Sequence, residues 1–127
     1  MPVKIIIKPT GAPAAVGPYN HGVRYGDLLF CSGQIPLDPA TGQIVAGDIR
    51  TQTERVLQNV QTILTAEGLG FNHVLKTTVF MTNLADFAAM NEVYARFFTE
   101  NHPARSTVQV AALPRGAQVE IEVTAHY

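Results

Sequence analysis

Apolar positions along this chain change period several times, and each change marks an element. Val3–Ile7 is rich in β-branched residues and predicts a strand. Val23–Tyr25 and Leu28–Cys31, separated by Gly26-Asp27, predict a hairpin closed by a tight turn. Leu37–Gly47, punctuated by Pro39, Gly42 and Gly47, predicts a loop. From Asp48 the period becomes helical: Ile49, Val56, Leu57, Val60, Ile63 and Leu64 share one face. Asp48 supplies the N-cap and Gly68 a left-handed stop. Val74–Met81 returns to strand. Asn83 then predicts the cap of a second helix, with Asp86 at the capping-box position. Its apolar face is Leu84, Phe87, Met90, Val93, Tyr94 and Phe97, and Pro103 ends any continuation. In the last quarter Val108, Val110 and Ala112 alternate with other residues, as do Val119, Ile121, Val123 and Ala125. Pro114–Ala117 between them reads as a turn, so the pattern predicts a second hairpin.

The order β-β-β-α-β-α-β-β predicts one α+β domain over residues 1–127, with a mostly antiparallel sheet and both helices on one face. Alternation in the last strand turns Val119, Ile121 and Val123 toward the helices. Gln118, Glu120, Glu122 and Thr124 are left on the far side. That side is too mixed for a second core yet broad, and a closed oligomer of identical chains would cover it.

Composition narrows the classes. At 46% apolar and 15% charged residues the chain is globular, and 127 residues suffice for one core. A net charge of −1 supplies no basic footprint for nucleic acid or an anionic membrane. The longest plainly apolar runs, such as Ile5–Ile7 and Leu28–Cys31, are far too short to span a bilayer, and the N-terminus lacks a signal-peptide pattern. The lone Cys31 has no disulfide partner and reads as a small buried thiol. His21, His73, His102 and His126 have no metal-ligand spacing. The expectation is a soluble cytoplasmic protein with no metal.

Candidate chemistry lies in Pro103–Val108 and Val119–Glu122. Arg105 offers a planar fork that suits a carboxylate, and Glu120 can hold or deprotonate a water. Taken singly, Arg105 reads as an ion-pair arginine and Glu120 as a solvated strand residue. Tyr19, after Pro18, reads equally as a packing residue. In the predicted hairpin Arg105 lies near the level of His126, about six positions from Glu120, or about 20 Å at the rise of a strand. That exceeds one small ligand, so a shared site would draw the two from different subunits.

Gly17-Pro18-Tyr19-Asn20, Cys31-Ser32-Gly33-Gln34-Ile35-Pro36, Lys76-Thr77-Thr78-Val79-Phe80, Pro103-Ala104-Arg105-Ser106 and Val119-Glu120-Ile121-Glu122 occur in that order. Together they resemble the RidA, or YjgF, family of reactive intermediate deaminases, from about Pro13 onward. The resemblance implies a chorismate-mutase-like α+β fold and a homotrimer with intersubunit clefts. It also implies hydrolysis of 2-enamine and 2-imine acids such as 2-aminoacrylate and 2-iminopropionate to 2-keto acids and ammonia, without a cofactor. Carried over, Arg105 holds the substrate carboxylate, Glu120 activates water and Tyr19 lines the cleft. Gly33 offers its backbone N–H with Ser32 beside it, and Asn91 completes the wall. Thr107 stands where many relatives have Cys. His21 replaces a more familiar Gln and receives no role. Two other functions are open: a keto-acid-binding regulatory trimer without turnover, and the ribonuclease or translation-inhibitor activity ascribed to some relatives. The charge balance disfavours the latter.

Overall fold

In the computed structural model, which describes residues 2–127, the strands are β1 (Ile5–Ile7), β2 (Gly22–Tyr25), β3 (Leu28–Gln34), β4 (Val74–Met81), β5 (Ala104–Gln109) and β6 (Val119–His126). The helices are α1 (Ile49–Ala66) and α2 (Phe87–Phe97). The six strands form one sheet in the order β1-β2-β3-β6-β4-β5, antiparallel except for the β4–β5 pair.

Local signals place much of this. The β2–β3 turn is Gly26-Asp27, with Gly26 at φ 59°, which a two-residue hairpin turn demands. The Asp48 carboxylate accepts the Thr51 N–H at 3.0 Å and starts α1. Gly68, at φ 72°, closes it, with the Leu69 N–H returning to the Leu64 carbonyl at 2.9 Å. Val56, Leu57, Val60, Ile63 and Leu64 of α1 are fully buried against Val119, Ile121, Val123 and Ala125 of β6 and Val79 and Met81 of β4. Each such aliphatic side chain contributes about 1.5–3 kcal/mol by leaving water.

The second predicted hairpin does not form. β6 lies between β3 and β4, and β5 pairs with β4 on the far edge: Arg105 faces Thr77 and Thr107 faces Val79. α2 is the crossover that a parallel β4–β5 pair requires. β6 alternates cleanly, its core side is buried, and both its edges are hydrogen-bonded. β5 has no fully buried residue and suits an edge. The chain from Val110 to Gln118 is therefore a connection rather than a strand and turn.

Two smaller expectations are also corrected. Asn83 caps a 3₁₀ turn, Leu84–Asp86, that runs into α2, and Asp86 makes no side-chain cap bond. Leu84 and Phe87 are exposed, at 40% and 37%, because that turn rotates them off the core face, while Phe98 just beyond α2 is buried in their place. Cys31 is buried as expected. Burial, with Glu67 adding to it, pushes its thiol up to about 12.

Candidate active site

On the sheet face away from the helices, the β3–β6 ladder shifts register between Cys31 and Gln34 and skips Ser32 and Gly33. The departing backbone opens a cleft of about 400 Å³ lined by Tyr19, Ser32, Gly33, Ile35, Glu120 and Glu122, among others. Ser32 fastens the preceding loop to β3: its Oγ donates to the Asn20 carbonyl at 2.6 Å and its N–H to His21 at 2.9 Å. Tyr19 is thereby held at the rim, 45% exposed, its phenol oxygen accepting a 3.4 Å contact from the Val16 N–H.

Gly33 has a structural reason to be glycine. A Cβ there would stand 2.8 Å from Glu120 Cδ and 2.9 Å from Oε2, closer than side-chain atoms approach. The Glu120 carboxylate thus lies directly on the Gly33 backbone. Burial raises its pKa above the ordinary carboxylate value, and the neighbouring Glu122 charge raises it further. A carboxyl shifted in that direction is better matched to proton transfer near neutral pH than a solvated one.

Arg105 lies on the other face. Its Nη1 donates to Asn91 Oδ1 on α2 at 2.7 Å, and its guanidinium rests 4.8 Å from the Tyr94 ring centroid and 5.5 Å from that of Phe87. Tyr94 is anchored by a 2.8 Å hydrogen bond between its hydroxyl and Thr77. Among the described residues the one ion pair is Arg50–Glu92 at 2.9 Å, so Arg105 has no acidic partner. A pocket of about 480 Å³ opens beside it, lined by Asn91, Tyr94, Phe98, His102, Pro103 and Arg105, among others. An arginine fork with one amide bond, aromatic support and no carboxylate is suited to accept one. Thr107 lies two residues along the same strand side, its Oγ1 buried and without a partner.

The expected residues therefore fall into two groups. Tyr19, Ser32, Gly33 and Glu120 converge on one cleft, and Arg105 and Asn91 on another, with Thr107 further along β5. One chain does not bring the groups together, and the reason differs from the hairpin estimate. Arg105 is level with Val123 through Thr77, three residues from Glu120 and two strands away. That is about 10 Å along and about 10 Å across the sheet, and the side chains leave opposite faces. Sequence reasoning treated Tyr94 and Phe87 only as core positions, and it missed His102 and Ile35. No spacing marks these four: the parallel placement of β5 brings Arg105 beside Tyr94, Phe87 and His102, and Ile35 reaches the Glu120 cleft only where β3 leaves β6. Among the described residues no three His, Cys, Asp or Glu side chains group to hold a metal ion. Among the same residues no helix is long and apolar enough to cross a membrane.

Two helices over a mixed sheet, with an unpaired arginine beneath them and a half-buried carboxylate on the opposite face, define a class of small α+β domains whose polar groups are split between the sides of one sheet. Residues 9–127 match the model of the endoribonuclease L-PSP family, and the chain belongs to that family, in which its structural neighbours are YjgF and RidA proteins. It is 55% identical to protein DfrA of Myxococcus xanthus, over 90% of this chain and 88% of that one. It is 45% identical to the mouse 2-iminobutanoate/2-iminopropanoate deaminase, over 97% and 91% of the two chains. Among solved structures, Escherichia coli TdcF with bound serine superposes with a TM-score of 0.91 at 48% identity, over 97% and 98% of the two chains.

Proposed function

We propose that this protein hydrolyses 2-imino and 2-enamine acids to 2-keto acids and ammonia in a cleft shared by two copies of the chain within a homotrimer. The observation that carries this reading is the split site: an anion-ready Arg105 without an acidic partner on one face, and a desolvated Glu120 against Gly33 on the other. Neither half is sufficient for hydrolysis, and a second copy docked on the open face supplies what the first lacks. That face exposes Phe30 and Val108 between polar residues, a surface that covering by another copy would stabilise. The mouse relative's name specifies a deaminase of four- and three-carbon 2-imino acids. The serine held by TdcF has the α-carboxylate that Arg105 is suited to receive.

In this reading the substrate carboxylate sits on the Arg105 fork, whose Asn91 bond sets its plane. Tyr19, Ser32 and the Gly33 backbone frame the imine, and Thr107 presents its free hydroxyl to the ligand. Glu120 takes a proton from water as its oxygen attacks the imine carbon. The C–N double bond opens to a carbinolamine and Glu120 returns the proton to nitrogen. Glu120 then takes the carbinolamine hydroxyl proton and passes it to the amino nitrogen. As the C–O bond becomes the ketone the C–N bond breaks and ammonia leaves, so water and imine are consumed and 2-keto acid and ammonia formed. No thiolate enters, so Thr in place of Cys at position 107 is compatible with turnover.

The test is a coupled assay in which a dehydratase generates 2-aminoacrylate and ammonia release is followed with and without the protein. Glu120→Gln keeps size and hydrogen bonding but cannot take the proton. The expected loss is toward the 10²–10⁴-fold typical of general acid–base catalysis, roughly the lower end for so labile a substrate. Trimer mass by light scattering and 2-ketobutyrate binding are both expected to survive. A parent that binds 2-ketobutyrate but never accelerates deamination is a binding protein instead. A monomer at micromolar concentration removes the shared cleft.

A further inference from the structure

Two amide side chains lie in the apolar core where the hydrophobic pattern of α1 asks for neither. Gln52 is 4% exposed and Asn59 fully buried, seven residues apart on the same side of the helix. Buried amides are costly unless every polar atom is bonded, and these are bonded. Asn59 Nδ2 donates to the carbonyls of Ile35 at 3.2 Å and Leu37 at 2.9 Å. Its Oδ1 accepts from Arg55 Nε at 3.1 Å and Nη2 at 2.8 Å. Because Arg55 can only donate, it fixes which way the Asn59 amide points. Gln52 Oε1 accepts the Gln118 N–H at 2.9 Å, and its Nε2 donates to the Val45 carbonyl at 3.2 Å.

What these amides hold is specific. Ile35 follows Gly33 by two residues, just past the register shift where β3 leaves β6. Gln118 precedes Glu120 by two residues, at the entry to β6. β3 and β6 pair at Cys31 with Val123 and at Gln34 with Ile121 but not at Ser32 and Gly33 between them, so the ladder holds the flanks of this irregularity and leaves the Gly33 backbone itself unpaired against β6. The helix behind the sheet braces both sides of it: one amide holds the chain just after the strand bearing Gly33 and the other the chain just before the strand bearing Glu120, both from one rigid element.

We infer that Asn59, oriented by Arg55, and Gln52 are positioning residues that set the Gly33–Glu120 approach from the opposite side of the sheet. The inference rests on the proposed role of Glu120, and it is tested without depending on it. Asn59→Asp keeps the Arg55 contact but turns an acceptor toward two carbonyls. Gln52→Met keeps length and removes both bonds. If Asn59→Asp does not fold, Arg55→Met, at a half-buried site, frees the amide instead. Val60→Ala, a cavity in the same helix, controls for plain destabilisation.

The first readout is the carboxyl titration of Glu120 by carbon-13 NMR, with Glu122 and Tyr19 as the other titratable groups of that cleft. Loosening the approach lets water reach Glu120, so its titration moves down toward the ordinary carboxylate range in the amide variants and stays in place in Val60→Ala. The second readout is turnover per folded molecule. kcat is expected to fall about tenfold or more, consistent with the sensitivity of catalysis to misplacements near 1 Å, with KM changed less than about twofold, since Arg105 is untouched. An unchanged Glu120 titration in both amide variants, or an equal shift in Val60→Ala, overturns the inference. If the parent shows no turnover, the proposed function fails and the titration alone decides the positioning role.

Discussion

Gly33→Ala isolates the contact on which the candidate site turns. The added Cβ would stand 2.8 Å from Glu120 Cδ, 2.9 Å from Oε2 and 3.0 Å from Cγ. Carbon atoms in ordinary contact stand about 3.5–4.0 Å apart, so the carboxylate must retreat by roughly 0.7 Å or more. The backbone at Gly33 is not in the left-handed region, so alanine adds no conformational strain there. Overpacking a rigid core costs about 1–3 kcal/mol, but Glu120 borders an open cleft of about 400 Å³ and can swing into it. The reduced freedom of the unfolded chain returns about 0.4–1 kcal/mol. The net stability change is therefore within about 1 kcal/mol, a few degrees in Tm. Turnover should suffer far more, by about 10–100-fold, because a catalytic group displaced near 1 Å loses its alignment. The coupled ammonia-release assay and a thermal melt measure the two quantities on the same sample. In a Glu120→Ala background the clash has no partner, and Gly33→Ala should no longer lower Tm, which a double-mutant cycle reads directly. Parental turnover in Gly33→Ala would refute the reasoning, since a displaced Glu120 would then act as well as a placed one.

Arg105→Lys keeps the charge but loses the fork, the Asn91 bond and the stacking on Tyr94, so most activity and most 2-ketobutyrate affinity should vanish; near-normal binding by calorimetry would show that no bidentate clamp exists. Glu120 is held above the ordinary carboxylate pKa, mainly by burial, so the native state binds its proton more tightly than the unfolded chain. Its contribution to stability is fully present below the unfolded value of about 4.3 and is lost as pH rises through the folded value. Glu120→Gln should flatten that decline in melts taken across the window, and the acid limb of the parent's kcat profile should lie above the ordinary carboxylate range. Thr107→Val removes a buried hydroxyl without a partner and should stabilise the free protein by about 1 kcal/mol. It should also weaken 2-ketobutyrate binding, whereas Thr107→Cys should leave turnover within a few-fold; unaltered binding in the valine variant would make Thr107 a spectator.

Much of the architecture was legible because it depends on local periodicity and backbone chemistry. The face of α1, the stop at Gly68, the Gly26-Asp27 turn and the alternation of β6 follow from which side chains seek burial and which residues tolerate a positive φ. The same alternation assigned Glu120 to the face away from the helices. The family segments named Tyr19, Ser32, Gly33, Glu120 and Arg105, the wider resemblance added Asn91, and the structure groups them as two clusters on opposite faces. Periodicity states which face of a strand is buried but not which strand lies beside it. A hairpin between β5 and β6 satisfies the pattern as well as the observed insertion of β4 between them. Only the summed burial of the whole sheet chooses, placing β6 inside, where its apolar side meets α1, and leaving β5 at the edge. That choice carries Arg105 over Tyr94 and brings the Gln118 N–H at the entry to β6 onto Gln52. Both contacts join different elements of the fold, with energies that exist only once the sheet is assembled.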